Sequence, residues 1–192
     1  MRKSSKVIFV FGCLLIVTGL VLILTLKFRA KQAEQMNDRI VQDMENILCD
    51  HREGMQESEC ETEMPVLELD GVDFAALLEI PLYDLKLPVC NVWNKNSIMS
   101  YPCRFDGTIY NGTLIIGGYD QSGQFEFFDY ISEGTEVLVK DMTGAVFSYK
   151  VSRVERSKSA DIDVLKNEGT DLTMFVRDAQ LLEYIIVRCT LK

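Results

Sequence analysis

From Val66 onward the chain is divided into short apolar or alternating runs, each closed by residues that turn the backbone. The runs are 77–80, 85–89, 113–117, 136–140, 145–154, 172–176 and 184–190. Asp106-Gly107, Asn111-Gly112, Glu133-Gly134 and Thr143-Gly144 separate them, pairs that supply the positive φ of tight turns. Most runs are too short to pay the nucleation cost of a helix. Phe147-Ser148-Tyr149-Lys150-Val151 shows the two-residue alternation of a strand with one buried face. Many short strands with close turns predict a mainly β domain, a barrel or sandwich, over residues 66–192. A helical turn or two over Phe125–Ile131 interrupts it.

The first 65 residues follow different rules. Val7–Leu26 is a run of 20 residues without a charge. As a helix rising about 1.5 Å per residue it spans the roughly 30 Å hydrocarbon core of a bilayer, so it predicts a transmembrane segment. Arg2, Lys3 and Lys6 precede it and favour a cytoplasmic tail over residues 1–6, although Lys27, Arg29 and Lys31 on the other side weaken the asymmetry. The run is longer than the apolar region of a typical cleaved signal, and Ala30 and Ala33 are wrongly spaced for a cleavage site. It reads as an uncleaved signal anchor, with the C-terminal domain outside the cell. Residues 27–65 then form a juxtamembrane helix and a linker. Ala33, Met36, Ile40, Met44, Ile47 and Leu48 recur at steps of three and four, a stripe that packs on its own domain or on a second copy. Residues 50–65 are acidic and polar.

Residues 1–31 hold six of the 20 Lys and Arg and none of the 29 Asp and Glu, so the remainder carries 14 basic against 29 acidic groups. Such a domain is repelled by nucleic acid, and no nucleic-acid partner is expected. The cysteines at 13, 49, 60, 90, 103 and 189 show no Cys-x-x-Cys pair, and His51 is the only histidine, so neither a zinc site nor any other cofactor is expected. In an oxidising compartment Cys49 with Cys60, or Cys90 with Cys103, are candidate disulfides.

Asp171–Cys189, Asp-Leu-Thr-Met-Phe-Val-Arg-Asp-Ala-Gln-Leu-Leu-Glu-Tyr-Ile-Ile-Val-Arg-Cys, resembles the catalytic strand pair of sortases. There a Thr-Leu-x-Thr-Cys strand end is followed by a loop and by an Arg that opens a strand of the Arg-Val-x-Val type. Thr173-Met174-Phe175-Val176 matches the first strand, with Arg177 at the position of the nucleophilic Cys. The expected Arg is Tyr184, or Glu183 in a register one residue shorter. Leu114-Ile115-Ile116-Gly117-Gly118-Tyr119-Asp120 resembles the buried Ile-Ala-Gly-His-Asn strand, with Tyr119 at the His position. Pro65–Gly71, Leu78–Pro81, Leu87–Val89, Tyr101–Gly107 and Glu133–Val137 extend the likeness, nearest to the small class B-like sortases, although Ser159–Glu168 is short for that class. The resemblance implies a sortase-like eight-stranded β-barrel with short helices on the outer face of a Gram-positive cell membrane.

Sortases are cysteine transpeptidases. The chemistry needs a thiolate to attack a peptide carbonyl, an acid for the leaving amine and a cation for the oxyanion. A guanidinium at 177 does not deprotonate to become a nucleophile, and an ordinary phenol, with a pKa near 10, replaces imidazole poorly. Loss of a single oxyanion donor already costs on the order of a hundredfold in rate. The sequence therefore points to a catalytically inactive sortase-like protein, with no catalytic residue assigned. It binds a sorting-signal-like peptide or a surface protein through Arg177, Tyr119, Tyr184 and Trp93. The alternative is an active cysteine transpeptidase or hydrolase with displaced residues, using Cys103, Cys189 or acids such as Asp120, Asp178 and Glu183. Blander readings are an Arg177 paired with Asp120 or Asp178, and a Trp93 that only packs.

Overall fold

The computed structural model describes the backbone of residues 2–51, 63–121, 123–166, 169–178 and 181–192. A helix, α1 (Arg2–His51), leads into nine strands among the described residues. They are β1 (Leu67–Leu69), β2 (Val72–Ile80), β3 (Leu85–Cys90), β4 (Cys103–Asp106), β5 (Leu114–Tyr119), β6 (Glu136–Asp141), β7 (Val146–Ser157), β8 (Leu172–Arg177) and β9 (Tyr184–Leu191). β2 to β9 pair in the order β2-β3-β4-β5-β8-β9-β7-β6, and β6 returns to β2, so eight strands close a barrel with β1 as a flap on β2. Closure removes the unpaired edges that an open sheet would expose.

Turn chemistry accounts for the β6–β7 hairpin. The carboxylate of Asp141 accepts hydrogen bonds from Thr143 N (2.9 Å), Thr143 Oγ1 (2.7 Å) and Ala145 N (2.9 Å), and Gly144 supplies φ 87°. The Tyr110 hydroxyl donates to the same carboxylate at 2.9 Å and ties the turn at Ile109–Asn111 to the hairpin. The expected helical turns at 125–131 form a short 3-10 helix, Glu126–Asp129, whose Phe127 and Phe128 face the barrel.

β5 and β8 run parallel, from Leu114↔Leu172 to Tyr119↔Arg177. β8 and β9 run antiparallel, with Arg177 opposite Tyr184. Both β5 and β8 are buried over their first five residues, which is why they read as apolar runs rather than alternations. Leu114, Ile116, Met174, Val176, Ile185 and Val187 point into the barrel core. Ile115, Phe175 and Ile186 point outward and are covered by Leu165 of the one-turn helix α3 (Ile162–Leu165).

The second half of α1 lies on the barrel beside β3, so this stripe packs on its own domain. Ile40, Val41, Met44 and Leu48 are buried, each contributing roughly 1.5–3 kcal/mol of apolar burial. Met36, expected in the stripe, is exposed. Its place is taken by Asn37, which is buried because its Nδ2 donates to Gly123 O. An ion pair between Glu45 and Lys86 closes the contact. The first half of α1 has no such cover: its described large apolar side chains from Phe11 to Leu24 are all more than half exposed. No helix among the described residues is long and apolar enough to cross a membrane, and the side chains of 7–10 and 26 in the expected span lie outside the described set. Residues 52–62 of the expected linker, with Cys60, and the side chain of Cys49 lie outside it as well. Met64 is already buried in the barrel core, two residues before the expected domain start.

Candidate functional site

The three positions singled out in the sequence meet on the outer face of the barrel. Tyr119 ends β5, Arg177 ends β8 and Tyr184 opens β9, and each is the register partner of the next. Adjacent strands lie about 4.8 Å apart, so the three form one row across three strands. Strand alternation puts Arg177 on the face of Thr173 and Phe175, opposite Met174 and Val176. Tyr184 shares that face, with its ring 6.4 Å from the ring of Phe175. Tyr119 and Arg177 are exposed and Tyr184 is half-buried.

Arg177 makes no ion pair among the described residues. Asp178 pairs with Arg156 at 2.9 Å, while its other oxygen accepts from Leu181 N at 3.0 Å and shapes the β8–β9 connection. In that connection Leu182 takes φ 55° and stands 66% exposed, so a strained backbone presents an apolar side chain beside the row. Tyr119 is held from behind. Its backbone N–H donates to Gln124 Oε1 at 2.9 Å, and the buried Gln124 donates through Nε2 to Ile98 O at 3.1 Å. Gln121 Nε2 donates to Met99 O at 3.0 Å, a second stitch between the segment after β5 and the one-turn helix α2 (Ser97–Ser100). Gln124 carried no signal in the sequence, because a glutamine in a loop ordinarily reads as solvated.

Trp93 lies further along the same face. Its ring stacks on Phe175 (centroids 5.6 Å, 27°) and meets Phe105 edge-on (5.1 Å, 89°), while Phe105 and Phe175 meet at 5.3 Å and 84°. The three rings rest on β5 at Gly117, where an added Cβ would lie 2.3 Å from Trp93 Cζ3 and 2.6 Å from Phe175 Cζ. Trp93 is 38% exposed, so packing is its main role and one edge remains open. That edge borders a depression of about 600 Å³ that Asn91, Arg104, Phe105 and Asp106 also line. Asn91 Oδ1 is buried there without a protein partner.

Neither thiol considered as a displaced nucleophile sits in an open site. Cys189 points into the barrel core, and burial pushes its thiol up to about 12. Cys103 is fully buried beneath α1. The side chain of His51 lies outside the described residues. Among the described residues no group of acids and cysteines is arranged to hold a metal ion. A buried arginine went unrecognised in the sequence. Arg188 is 2% exposed; its Nε donates to Glu155 Oε1 (2.8 Å), and its two terminal nitrogens to Thr173 Oγ1 (3.1 Å), Val164 O (2.6 Å) and Leu165 O. It pins α3 to β8 and β9 from a buried position. At the row itself, two phenols flank a guanidinium fork, a donor set suited to a carboxylate.

The fold has many solved likenesses. A sortase D5 transpeptidase of Clostridium perfringens is 20% identical with a TM-score of 0.57, covering 77% of this chain and 97% of its own. Sortase C from Clostridium perfringens SM101 is 17% identical with a TM-score of 0.55, over 81% of this chain and 88% of its own. Sortase A of Listeria monocytogenes is 13% identical with a TM-score of 0.55, over 62% and 87%. These relatives carry class D, C and A labels, and at such identities they show the fold alone. No curated protein sequence matches the chain. The family model of the sortase domain matches residues 78–181, more than half of the chain, and this protein belongs to the sortase family.

Proposed function

We propose that this chain is a membrane-anchored sortase-fold protein that binds a peptide or surface protein outside the cell and does not turn it over. The observation that carries the reading is the row Tyr119–Arg177–Tyr184: positions at which the resemblance expects His, Cys and Arg hold two phenols and an arginine without an ion-pair partner among the described residues. Such a row grips a carboxylate, either a chain terminus or an acidic side chain, through two parallel N–H donors of Arg177. Exposed Leu181 and Leu182 beside it offer apolar contact to neighbouring residues of the ligand. Anchoring is supported by the exposed apolar half of α1 and by Arg2, Lys3 and Lys6 before it.

The full chain in detergent micelles tests both halves. Fluorescence anisotropy with a labelled sorting-signal-like peptide, as free acid and as C-terminal amide, reads the carboxylate preference. Arg177→Ala should weaken the free acid by about 30-fold, as expected for charge-assisted hydrogen bonds of about 2 kcal/mol. Equal binding of Arg177→Ala and the parent chain would refute the site. Turnover is read by incubating the chain with the same peptide and an amine acceptor, with and without a thiol alkylator. Product formation that alkylation abolishes would refute the absence of catalysis.

A further inference from the structure

β3 ends and β4 begins with a cysteine, and Cys90 and Cys103 are the register partners of this parallel strand pair. Cys90 N donates to Pro102 O at 2.9 Å and fixes the register. Cα atoms of paired strands lie about 4.8 Å apart, inside the range of roughly 4.4–6.8 Å that a disulfide bridges. Of the two thiols, Cys103 Sγ donates to Tyr101 O at 3.4 Å. Both are fully buried in a layer with Phe74, Leu77 and Tyr101, covered by Ile40, Val41 and Met44 of α1. Residues 91–102 between them carry Trp93, and also the carbonyls of Ile98 and Met99 that receive Gln124 and Gln121.

We propose that Cys90 and Cys103 close a disulfide when the chain folds in an oxidising compartment, and that this bond fixes the 91–102 loop with Trp93 seated on β5. The step is thiol–disulfide exchange with a small-molecule disulfide. One cysteine thiolate attacks a sulfur of the oxidant and releases one thiol, giving a mixed disulfide. The second cysteine thiolate then attacks the mixed disulfide, forming the Cys90–Cys103 bond and releasing the second thiol. Two electrons and two protons pass from the cysteines to the oxidant. Both sulfurs are buried under α1, out of reach of a dissolved disulfide, so the folded, reduced pair exchanges slowly. The bond therefore forms during folding, before α1 covers the pair. This inference is independent of what the groove binds.

Refolding the full chain from denaturant into detergent with a glutathione redox buffer, or with a reductant, tests it. Tryptic digestion without reduction should link the peptide of residues 87–95 to that of residues 96–104, because Lys95 lies between the cysteines. The oxidised protein should melt on the order of 10 °C higher than the reduced one, as expected for a bond closing a loop of this length. Cys90→Ser should remove that difference. The single Trp reports the loop: acrylamide should quench Trp93 less in the oxidised form. Alkylatable Cys90 and Cys103 in the oxidised sample, or linkage of either to another cysteine, would overturn the assignment. So would a melting difference that survives in Cys90→Ser. Equal quenching in the two redox forms would overturn the link to Trp93.

Discussion

Gly117→Ala tests the packing of the aromatic cover on β5. The new methyl would stand 2.3 Å from Trp93 Cζ3 and 2.6 Å from Phe175 Cζ. Ordinary carbon contacts lie near 3.5–4.0 Å, so at least one ring must move by about 1 Å or more. Phe175 is 5% exposed and held between neighbours, whereas Trp93 is 38% exposed, so Trp93 is the ring that leaves. It gives up its pairs with Phe175 and Phe105, about 0.5–1.5 kcal/mol each, and the strain left on Phe175 adds about 1 kcal/mol. The expected cost is about 2–4 kcal/mol, a fall in Tm of about 10 °C. Because Trp93 is the only tryptophan, its emission should shift to the red in the folded variant. Urea denaturation followed by that emission measures both effects, and Trp93→Ala with Gly117→Ala completes a double-mutant cycle followed by far-UV circular dichroism, since the Trp93→Ala chains carry no tryptophan. An unchanged emission maximum together with a Tm within 2 °C of the parent would refute the reasoning.

Arg188→Met should cost about 3–5 kcal/mol in urea denaturation, because it leaves Glu155 and the carbonyls of Val164 and Leu165 without their buried partner. Asp141→Ala removes the acceptor of four hydrogen bonds at the β6–β7 hairpin and should cost about 2–4 kcal/mol by the same assay, with Asp141→Asn intermediate. Met44→Ala opens a cavity under α1 and should cost about 2–4 kcal/mol, with faster proteolysis of α1 as the second readout. The hydrogen bond and ion pair with Lys166 hold the Asp106 carboxyl below the usual carboxylate range. Its stabilising effect is therefore complete above the unfolded value, near pH 4, and lost as pH falls through the depressed folded value. Solvent screening keeps it well under 1 kcal/mol, so Asp106→Asn should slightly flatten the acid limb of the Tm–pH curve and leave neutral pH unchanged.

Strands buried on both faces were the easiest to read. β5, β8 and β9 announce themselves as apolar runs because barrel core and outer cover both demand apolar side chains there. β4 gives no such signal, since Cys103-Arg104-Phe105-Asp106 is short and mixed, and only its likeness to sortases marked the segment. The row at Tyr119, Arg177 and Tyr184 was legible because strand register is set by hydrophobic patterning that motif spacing preserves. The aromatic cover on β5 at Gly117 was not. Trp93, Phe105 and Phe175 come from three separate segments, and the single local hint was Gly117-Gly118, two glycines inside a strand that mark close approach on both faces. The α1 stripe was misphased at Met36 because a buried Asn37 with a distant carbonyl acceptor looks, in sequence, like a solvated residue. Arg188 was hidden for the same reason.

α1 is a single helix from Arg2 to His51, and among its described side chains the contacts with the barrel begin at Asn37. Ten residues, 27–36, thus stand between the apolar run and the first clamped turn and act as a rigid mast rather than a tether. Each residue of such a mast sets about 1.5 Å of clearance and about 100° of azimuth. Adding or removing one would swing the Tyr119–Arg177–Tyr184 row about a quarter turn around the helix axis. With the apolar run anchored as proposed, the length of this segment would fix the height and compass bearing at which the row meets a ligand.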